Sequence, residues 1–328
     1  MACEMTVDRN VGIDAFRIIA FLAVVMLHAL PNVTTEVDAY NALNLCSRFA
    51  VPFFFIVSGY FIQKSNAATL PAVKKLFLRI FPVFIIWLLI YWIAFAQYQE
   101  PIYPKLIAYT LISGFPTFHL WFLPALGISG VMLIFMRRLP SLYLILIGML
   151  FYSVTLIFGS YKDFFAFEMP QLGGQYLKAR FGPFMGLLFM VVGFVIARHD
   201  IEIKKIWVLL FLIVGGGILE IMESYFLHLN GIDVVPMDHF LGTILLGAGV
   251  FLYAKQLKAS PVITILARFG YLSLGSYCIH LLFLHFLKER IGNDTAQNFF
   301  LLFAFVSALS IFVSWIGTKI PFVRKIFI

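Results

Sequence analysis

The chain has 328 residues, of which 62% are hydrophobic and 12% are charged, and its mean hydropathy is +0.96. Soluble domains carry roughly 25% charged residues, so this composition excludes an ordinary water-soluble domain and indicates a membrane protein. The formal net charge of +8 would also suit a nucleic-acid-binding protein, but the placement of the basic residues along the chain argues against that class.

Ten apolar segments approach the roughly 20 residues that a helix needs to cross the hydrocarbon core of a membrane. We therefore predict an all-α fold, a polytopic bundle of about ten transmembrane helices. The segments are 13–30, 48–63, 80–97, 118–136, 142–160, 183–198, 206–222, 239–254, 264–285 and 299–318. We expect residues 1–328 to form a single membrane domain with no appended soluble domain.

The basic residues fall mainly on alternate connections between these segments. Of the 24 lysines and arginines, 15 lie at the N-terminus, on every second connection and at the C-terminus, whereas six lie on the opposite connections. Because lysine and arginine concentrate on the cytoplasmic side of membrane proteins, this pattern predicts that both termini are cytoplasmic. The basic excess is thus a signal of topology.

The first segment carries ionisable side chains at membrane depth, where they are retained mainly for function or for pairing. Arg17 and His28 are eleven residues apart, so they lie on nearly the same face of a helix and roughly 16 Å apart along its axis. This spacing suits a cytosolic cofactor whose anionic group Arg17 binds and whose reactive end reaches His28, a candidate general base. In the alternative interpretation, Arg17 pairs with Asp14 at i,i+3 and His28 caps the helix end.

Other polar residues inside the segments favour structural roles. Glu220 lies deep in the seventh segment and needs a partner, for which we expect an ion pair with Arg268. His280 and His285 on the ninth segment fit buried structural histidines. The three cysteines are scattered, so we expect no metal site. The sequence contains no phosphate-binding loop, HExxH or GxSxG motif of a soluble enzyme.

Three motifs occur in the same order as in a known family, and a further segment that begins at His119 also resembles that family. In chain order, the motifs and this segment are Asp14-x-x-Arg17 followed by His28; Phe54-Phe55-Ile56-Val57-Ser58-Gly59-Tyr60; His119-Leu120-Trp121-Phe122-Leu123; and Ser273-Leu274-Gly275-Ser276-Tyr277-Cys278-Ile279-His280. With them, essentially the whole chain resembles acyltransferase family 3, the integral membrane O-acyltransferases of surface polysaccharides such as enterobacterial common antigen. One departure is that Lys74 and Lys75 stand where an arginine-rich run is common. For Ser58-Gly59, close helix packing is a further interpretation.

The resemblance implies transfer of an acyl group, usually acetyl, from cytosolic acetyl-CoA to a sugar hydroxyl. The acceptor would be a cell-surface polysaccharide or its lipid-linked precursor at a bacterial inner membrane, with membrane lipids and polysaccharide-assembly proteins as further partners. His28 would be the catalytic base or transient acyl acceptor, and Arg17 would position the donor. The nucleotide phosphates would be bound by Lys74, Lys75 and Arg79. The acceptor or oxyanion site would draw on Ser58, Tyr60, His119, Trp121 and His280.

Two other classes of function compete with this one. Buried arginine, glutamate and histidine also serve secondary transporters, so a transporter or flippase for a lipid-linked glycan is the alternative. A nonenzymatic biosynthetic scaffold is the third. The pairing of Arg17 and His28 with the Ser58-Gly59-Tyr60 motif, and the absence of a detectable internal repeat, favour the acyltransferase.

Overall fold

The computed structural model describes residues 10–30, 39–65, 67–95, 104–165, 168–172, 175–232 and 239–327. It is nearly all helical, at 79%, which confirms the predicted fold class. Two short antiparallel strands, Gln171–Leu172 (β1) and Gln175–Tyr176 (β2), pair with each other in one of the connections. Arg9, which contributes to the alternating basic pattern, lies outside the described residues.

Helices make up most of the described chain. In chain order they are α1 (Val11–Ala29), α2 (Ala39–Ser47), α3 (Ala50–Lys64), α4 (Thr69–Ala94), α5 (Pro104–Ser113), α6 (Phe122–Met136), α7 (Ser141–Thr155), α8 (Lys162–Phe165), α9 (Pro183–Arg198), α10 (Ile206–Leu210), α11 (Gly216–Leu229), α12 (Gly242–Gln256), α13 (Pro261–Phe269), α14 (Ser273–Ile291) and α15 (Ala296–Lys319). Single π-helical turns extend α7 and join α10 to α11, and a 3₁₀ turn joins α13 to α14.

Every predicted segment coincides with a helix or with a joined pair of helices. Seven stretches of the described chain are long and apolar enough to cross a membrane: Val11–Ala29, Ala42–Lys64, Thr69–Ala94, Ser141–Ser160, Ile206–Leu229, Pro261–Ile291 and Ala296–Lys319. The segments predicted at 118–136, 183–198 and 239–254 form the shorter helices α6, α9 and α12, of 15 or 16 residues. At 1.5 Å per residue, such helices rise only about 24 Å. A multi-span helical bundle is confirmed; ten crossings and the orientation of the termini stay predictions.

Helix α1 runs through the middle of the bundle, packed against α3, α12, α13 and α14. At its start, the Asn10 side chain accepts a hydrogen bond from the Ile13 amide at 2.9 Å and donates one to the Lys255 carbonyl at 2.8 Å. At its end, the Asn293 amide donates to the carbonyls of Ala29 and Leu30, each at 3.1 Å. Both ends are fixed in this way, and with them the positions of the polar side chains on α1.

Glycines let α3 and α9 approach closely. A Cβ atom on Gly59 would lie 1.9 Å from the Met190 carbonyl oxygen, and one on Gly193 would lie 1.9 Å from the Ile56 carbonyl oxygen. No side chain fits at those distances, so only glycine permits this packing of backbone against backbone. Of the Ser58-Gly59 pair, Gly59 makes the close helix packing that was expected.

The connections that carry most of the basic residues meet at one end of the bundle. The Arg137 guanidinium donates to the Ala67 carbonyl at 2.5 Å, and Arg198 donates to the carbonyl of Arg137. Lys255 lies 3.3 Å from the Asp200 carboxylate. The connections that are rich in basic residues therefore lie together at one end of the folded molecule, and His28 lies at the opposite end.

The expected ion pair between Glu220 and Arg268 is wrong. Glu220 is fully buried on α11 and accepts a hydrogen bond at 2.6 Å from the Thr243 hydroxyl on α12. Among the described residues, Arg48 is a cation close enough to Glu220 to interact with its charge. Arg268 is exposed on α13, which packs against α1, whereas α11 packs against α12. Glu220 and Arg268 were paired in the prediction because both lie in membrane segments, but the packing of their helices keeps the two side chains apart.

Candidate active site

Three histidines from distant parts of the chain meet at one end of the bundle. His28 lies in the last turn of α1, His119 just before α6, and His280 on α14. The rings of His28 and His280 are stacked with centroids 5.4 Å apart, and the ring of His119 meets that of His280 edge to face at 5.2 Å. His119 and His280 are buried. The buried position expected for His280 is confirmed, but the exposed His285 is not buried as expected, because its face of α14 points outward.

Backbone carbonyls set the proton positions on two of these rings. His119 Nε2 lies 3.3 Å from the Cys278 carbonyl oxygen, and His280 Nδ1 lies 2.5 Å from that of Tyr277. A carbonyl oxygen only accepts, so these ring nitrogens donate, and the other nitrogen of each neutral ring is an acceptor. Within the described part of the chain, those acceptors, His119 Nδ1 and His280 Nε2, have no hydrogen-bond partner.

A cavity of about 540 Å³, including its open mouth, lies against this cluster. Its polar wall comes from several elements, and apolar side chains complete it. The described lining residues are Val24, Leu27, His28, Arg48, Val51, Phe118, His119, Trp121, Arg180, Met185, His239 and Tyr277. The cavity thus places imidazoles next to guanidinium groups.

Two arginines in the wall each contact a neighbouring side chain of the described chain. Arg48, between α2 and α3, donates from Nε and Nη2 to the Asn44 amide oxygen at 2.8 and 2.6 Å. The Arg180 guanidinium lies 5.3 Å from the centroid of the Trp121 ring. Neither arginine is among the site residues predicted from the sequence. A usable signal existed for Arg180, since it stands on a connection predicted to face away from the basic side, where such residues are scarce.

His239, also absent from the predicted site, accepts a hydrogen bond on its carbonyl from the Ser160 hydroxyl and directly precedes a polar cluster. The Glu223 carboxylate accepts hydrogen bonds from the amides of Leu241 and Gly242, both at 2.9 Å, and so caps the start of α12. The Tyr161 hydroxyl donates to Glu223 at 2.5 Å. Burial raises the pKa of Tyr161, and the bond to Glu223 raises it further, so Tyr161 remains protonated.

Arg17 lies at the other end of α1. Its Nη1 is 2.9 Å from Asp14 Oδ1, and its guanidinium lies 5.3 Å from the centroid of the Phe61 ring. The pairing with Asp14 named as the alternative interpretation is therefore present. Val24, one turn before His28, lines the cavity, whereas Phe21, the next residue on that face, is outside the described lining. The cavity reaches about 6 Å along α1 toward Arg17.

The remaining predicted residues lie apart from the cavity. Lys74, Lys75 and Arg79 are exposed on α4. The Ser58 hydroxyl donates to the Phe54 carbonyl of its own helix at 2.9 Å, and the Tyr60 ring packs against another aromatic ring on α12. Among the predicted acceptor-site residues, the structure therefore brings His119, Trp121 and His280 to His28, and leaves Ser58 and Tyr60 outside the described lining.

Comparison with known proteins gives a family match over most of the chain. The family model described as "Acyltransferase domain", of acyltransferase family 3, matches residues 10–319. A serine/alanine racemase of Enterococcus gallinarum is 30% identical over 314 residues, which are 87% of this chain and 43% of that protein. Two amino-acid racemases of Enterococcus faecalis are 32% identical over 119 residues and 29% identical over 138 residues, covering 35% and 39% of this chain and 17% and 19% of those proteins. The chain thus spans less than half the length of these relatives. No solved structure matches.

Proposed function

Because the chain belongs to acyltransferase family 3, we propose that it is an integral membrane O-acetyltransferase that moves an acetyl group from cytosolic acetyl-CoA to a sugar hydroxyl. The observation that carries the proposal is the position of His28, at a cavity shared with two further histidines and two arginines. A base beside an open cavity is what deprotonation of an attacking hydroxyl requires.

The proposed reaction assigns the proton to His28. Its imidazole takes the proton of the acceptor hydroxyl while the hydroxyl oxygen bonds to the thioester carbonyl carbon. The carbon–sulfur bond then breaks, and the proton passes from His28 to the leaving thiolate, giving an acetyl ester and free CoA. Trp121 is the proposed oxyanion donor, because it lines the same cavity and its indole N–H only donates.

The donor is proposed to enter from the end that carries Arg17. The Arg17 guanidinium stays charged beside Asp14 and presents planar N–H donors that suit a phosphate group. Lys74, Lys75 and Arg79 would add positive charge for the nucleotide phosphates, the lysines as point charges only. The roughly 16 Å between Arg17 and His28 along α1 is the span that the extended donor must cover, and the buried Phe21 side chain must give way for it.

The proposed acceptor is a cell-surface polysaccharide or its lipid-linked precursor, and the proposed location is a bacterial inner membrane. The alternating basic residues support an orientation in which the cavity end of the bundle faces away from the cytoplasm. Donor and acceptor would then approach His28 from opposite sides of the membrane. Membrane lipids and polysaccharide-assembly proteins are the proposed partners.

A second candidate is the handling of a small amino acid, for example its transport. The observation in its favour is the name of the relatives, serine/alanine racemase and amino-acid racemase. The match covers 43% of the first of these proteins, so the name of the whole does not assign racemisation to this chain. A serine or alanine carboxylate would suit the arginines of the cavity.

The test uses sealed membrane vesicles that contain the wild type, His28→Ala or the control His285→Ala. His285 is an exposed histidine on α14 whose ring faces Glu289 at 3.9 Å. Vesicles receive acetyl-CoA labelled on the acetyl group, immunoblots check insertion, and alkali-labile label on glycan is counted. We expect label with the wild type and His285→Ala and none with His28→Ala. Equal label from His28→Ala would refute the assignment of the base.

The same vesicles separate the two candidates. They are supplied with labelled L-serine in a parallel reaction, and uptake is measured. Uptake by the wild type, with no glycan acetylation in the presence of acceptor, would replace the acetyltransferase with the second candidate. Acetylation without uptake would support the proposed enzyme.

A further inference from the structure

We propose that Phe118 is a sugar-binding platform at the cavity beside His28: a pyranose ring of the acceptor packs one of its C–H faces on the phenyl ring, and a hydroxyl on the rim of the sugar reaches His28. The inference rests on the proposed function and deepens it by naming a residue that orients the acceptor and the form of sugar that fits. None of the sequence motifs contains Phe118.

Exposure is the first argument. Besides histidines, the described lining of the cavity has three aromatic side chains, those of Phe118, Trp121 and Tyr277. Phe118 is 54% exposed, whereas Trp121 and Tyr277 are 6% and 5% exposed. The Trp121 ring faces the Arg180 guanidinium at 5.3 Å, and the Tyr277 hydroxyl donates to the backbone. Within the described lining, Phe118 therefore presents the largest aromatic surface to an incoming molecule.

Position is the second argument. The Phe118 ring meets the His28 ring edge to face, with centroids 5.1 Å apart and planes at 73°, and both residues line the same cavity. Carbon atoms in contact lie about 3.5–4 Å apart. A sugar ring packed on Phe118 at that distance therefore brings the hydroxyls on its rim beside the imidazole to which the proposed reaction assigns the proton.

The fixed backbone around Phe118 is the third argument. Its neighbours Thr117 and His119 are 6% and 1% exposed. The Thr117 amide and hydroxyl both donate to the Gly114 carbonyl, at 3.1 and 3.0 Å, and the His119 carbonyl accepts from the Tyr277 hydroxyl. The chain is thus held on both sides, and the Phe118 side chain extends outward between two buried ones. A platform that is fixed before the ligand arrives loses less entropy on binding.

The chemistry of the two surfaces selects a ring-shaped sugar. An aromatic face carries partial negative charge, C–H hydrogens carry partial positive charge, and their contact removes apolar surface from water. A pyranose has C–H hydrogens on its faces and hydroxyls around its rim, so one molecule satisfies both the phenyl ring and the polar groups of the cavity. An acyclic polyol with similar hydroxyls has no such face.

The test measures binding without the donor, on the full-length protein in lipid nanodiscs that are prepared without any sugar-based detergent. The probes are methyl β-glucoside and the acyclic polyol sorbitol, and saturation-transfer NMR reports which ligand hydrogens touch the protein. A Kd of about a millimolar or weaker, which is typical of so small a ligand, suits this method. We expect transfer to methyl β-glucoside to be strongest at the axial hydrogens of one face, and sorbitol to show little transfer.

The variants are Phe118→Leu, Phe118→Tyr and the control Phe286→Leu. Phe286 is 53% exposed on α14, nearly the same as Phe118, and lies outside the described lining of the cavity. Phe118→Leu keeps an apolar side chain without the aromatic face, so it should weaken the binding of methyl β-glucoside by about threefold to tenfold and remove the preference for one face. Phe118→Tyr should keep both, and Phe286→Leu should match the wild type. The Tm without ligand shows whether each variant is folded.

Three outcomes would overturn the proposal. They are no saturation transfer to methyl β-glucoside, equal transfer to methyl β-glucoside and sorbitol, and an unchanged affinity and pattern in Phe118→Leu, which would make Phe118 a residue that contacts lipid only. His28→Ala is expected to bind methyl β-glucoside as the wild type does. If His28→Ala kept full acetylation while the Phe118 results held, the proposed function would fail and the sugar platform would stand. The converse pattern would remove Phe118 and leave the proposed enzyme intact.

Discussion

The Asn293 side chain offers a sharp test of how the fold positions His28. Its amide donates to the carbonyls of Ala29 and Leu30, each at 3.1 Å, directly after the turn that carries His28. Ala29 is fully buried, and Leu30 and Asn293 are 5% exposed. Water therefore does not replace the amide when it is removed, and these carbonyls at the end of α1 lose their side-chain donor.

The magnitude follows from that burial. Asn293→Ala should lower the free energy of unfolding by about 1–3 kcal/mol, the cost of leaving buried carbonyls without a donor. Asn293→Asp should cost more, because an oxygen that accepts or carries charge would face two carbonyl oxygens at the same distance. In both variants the last turn of α1 loosens, so transfer of acetyl should fall further than the loss of folded protein explains.

The assay pairs thermal unfolding in detergent with vesicle acetylation at a temperature where every variant is folded. Asn230→Ala is the matched control: the exposed Asn230 also donates to a carbonyl near the end of a helix, that of Phe226 at 2.7 Å. The control should unfold as the wild type does, since water replaces its exposed amide. If Asn293→Ala matched Asn230→Ala in both Tm and activity, the reasoning about the end of α1 would be refuted.

Four shorter predictions test other parts of the fold. Gly59→Leu should abolish stable insertion because no side chain fits between α3 and α9, and normal expression and Tm would contradict the close packing. Ser58→Ala should keep acetylation within about twofold, since its hydroxyl bonds its own helix; a complete loss would return it to the site. Arg17→Lys should raise the KM for acetyl-CoA about tenfold or more and change kcat less, whereas an unchanged KM would remove Arg17 from donor binding. Tyr161→Phe should lower the free energy of unfolding by about 1 kcal/mol at neutral pH, because the hydrogen bond to the Glu223 carboxylate is lost. In the wild type, the raised pKa of Tyr161 stabilises the fold fully below the pKa of an unfolded tyrosine, about 10, and this contribution is lost as the pH rises above that value. Tyr161→Phe should therefore lose less stability than the wild type above pH ~10. Parallel alkaline profiles of variant and wild type would contradict that assignment.

The sequence determined the helices and the alternation of the connections, because both depend on local properties. Runs of apolar residues specify a helix wherever lipid is the solvent, and each predicted segment coincides with helix in the structure. The spacing of Arg17 and His28 is equally local, since helix geometry alone puts them on one face. The family resemblance rested on motifs of the same local kind, and the family match over residues 10–319 confirms it.

Tertiary structure alone decided which polar groups meet. Glu220 and Arg268 have suitable charges, yet the packing of α11 on α12 gives Glu220 a hydroxyl partner instead. The Ser58-Gly59-Tyr60 motif lies outside the described lining of the cavity. Its Gly59 instead permits the close packing of α3 on α9. His280, by contrast, contacts His28 because α14 packs against α1, which the sequence does not reveal.

The arginines of the cavity show why the sequence did not predict that these residues share one site, although the position of Arg180 away from the basic side was a usable signal. Arg48 and Arg180 stand in connections far apart in the chain, and neither belongs to a periodic pattern that a sequence can reveal. Their shared cavity arises because the connections at one end of a bundle converge, whatever their distance in sequence. Local periodicity specifies the helices and the residues that share one face of a helix. The residues that form a site are decided by contacts between helices, and those contacts depend on side-chain shape and close packing throughout the bundle.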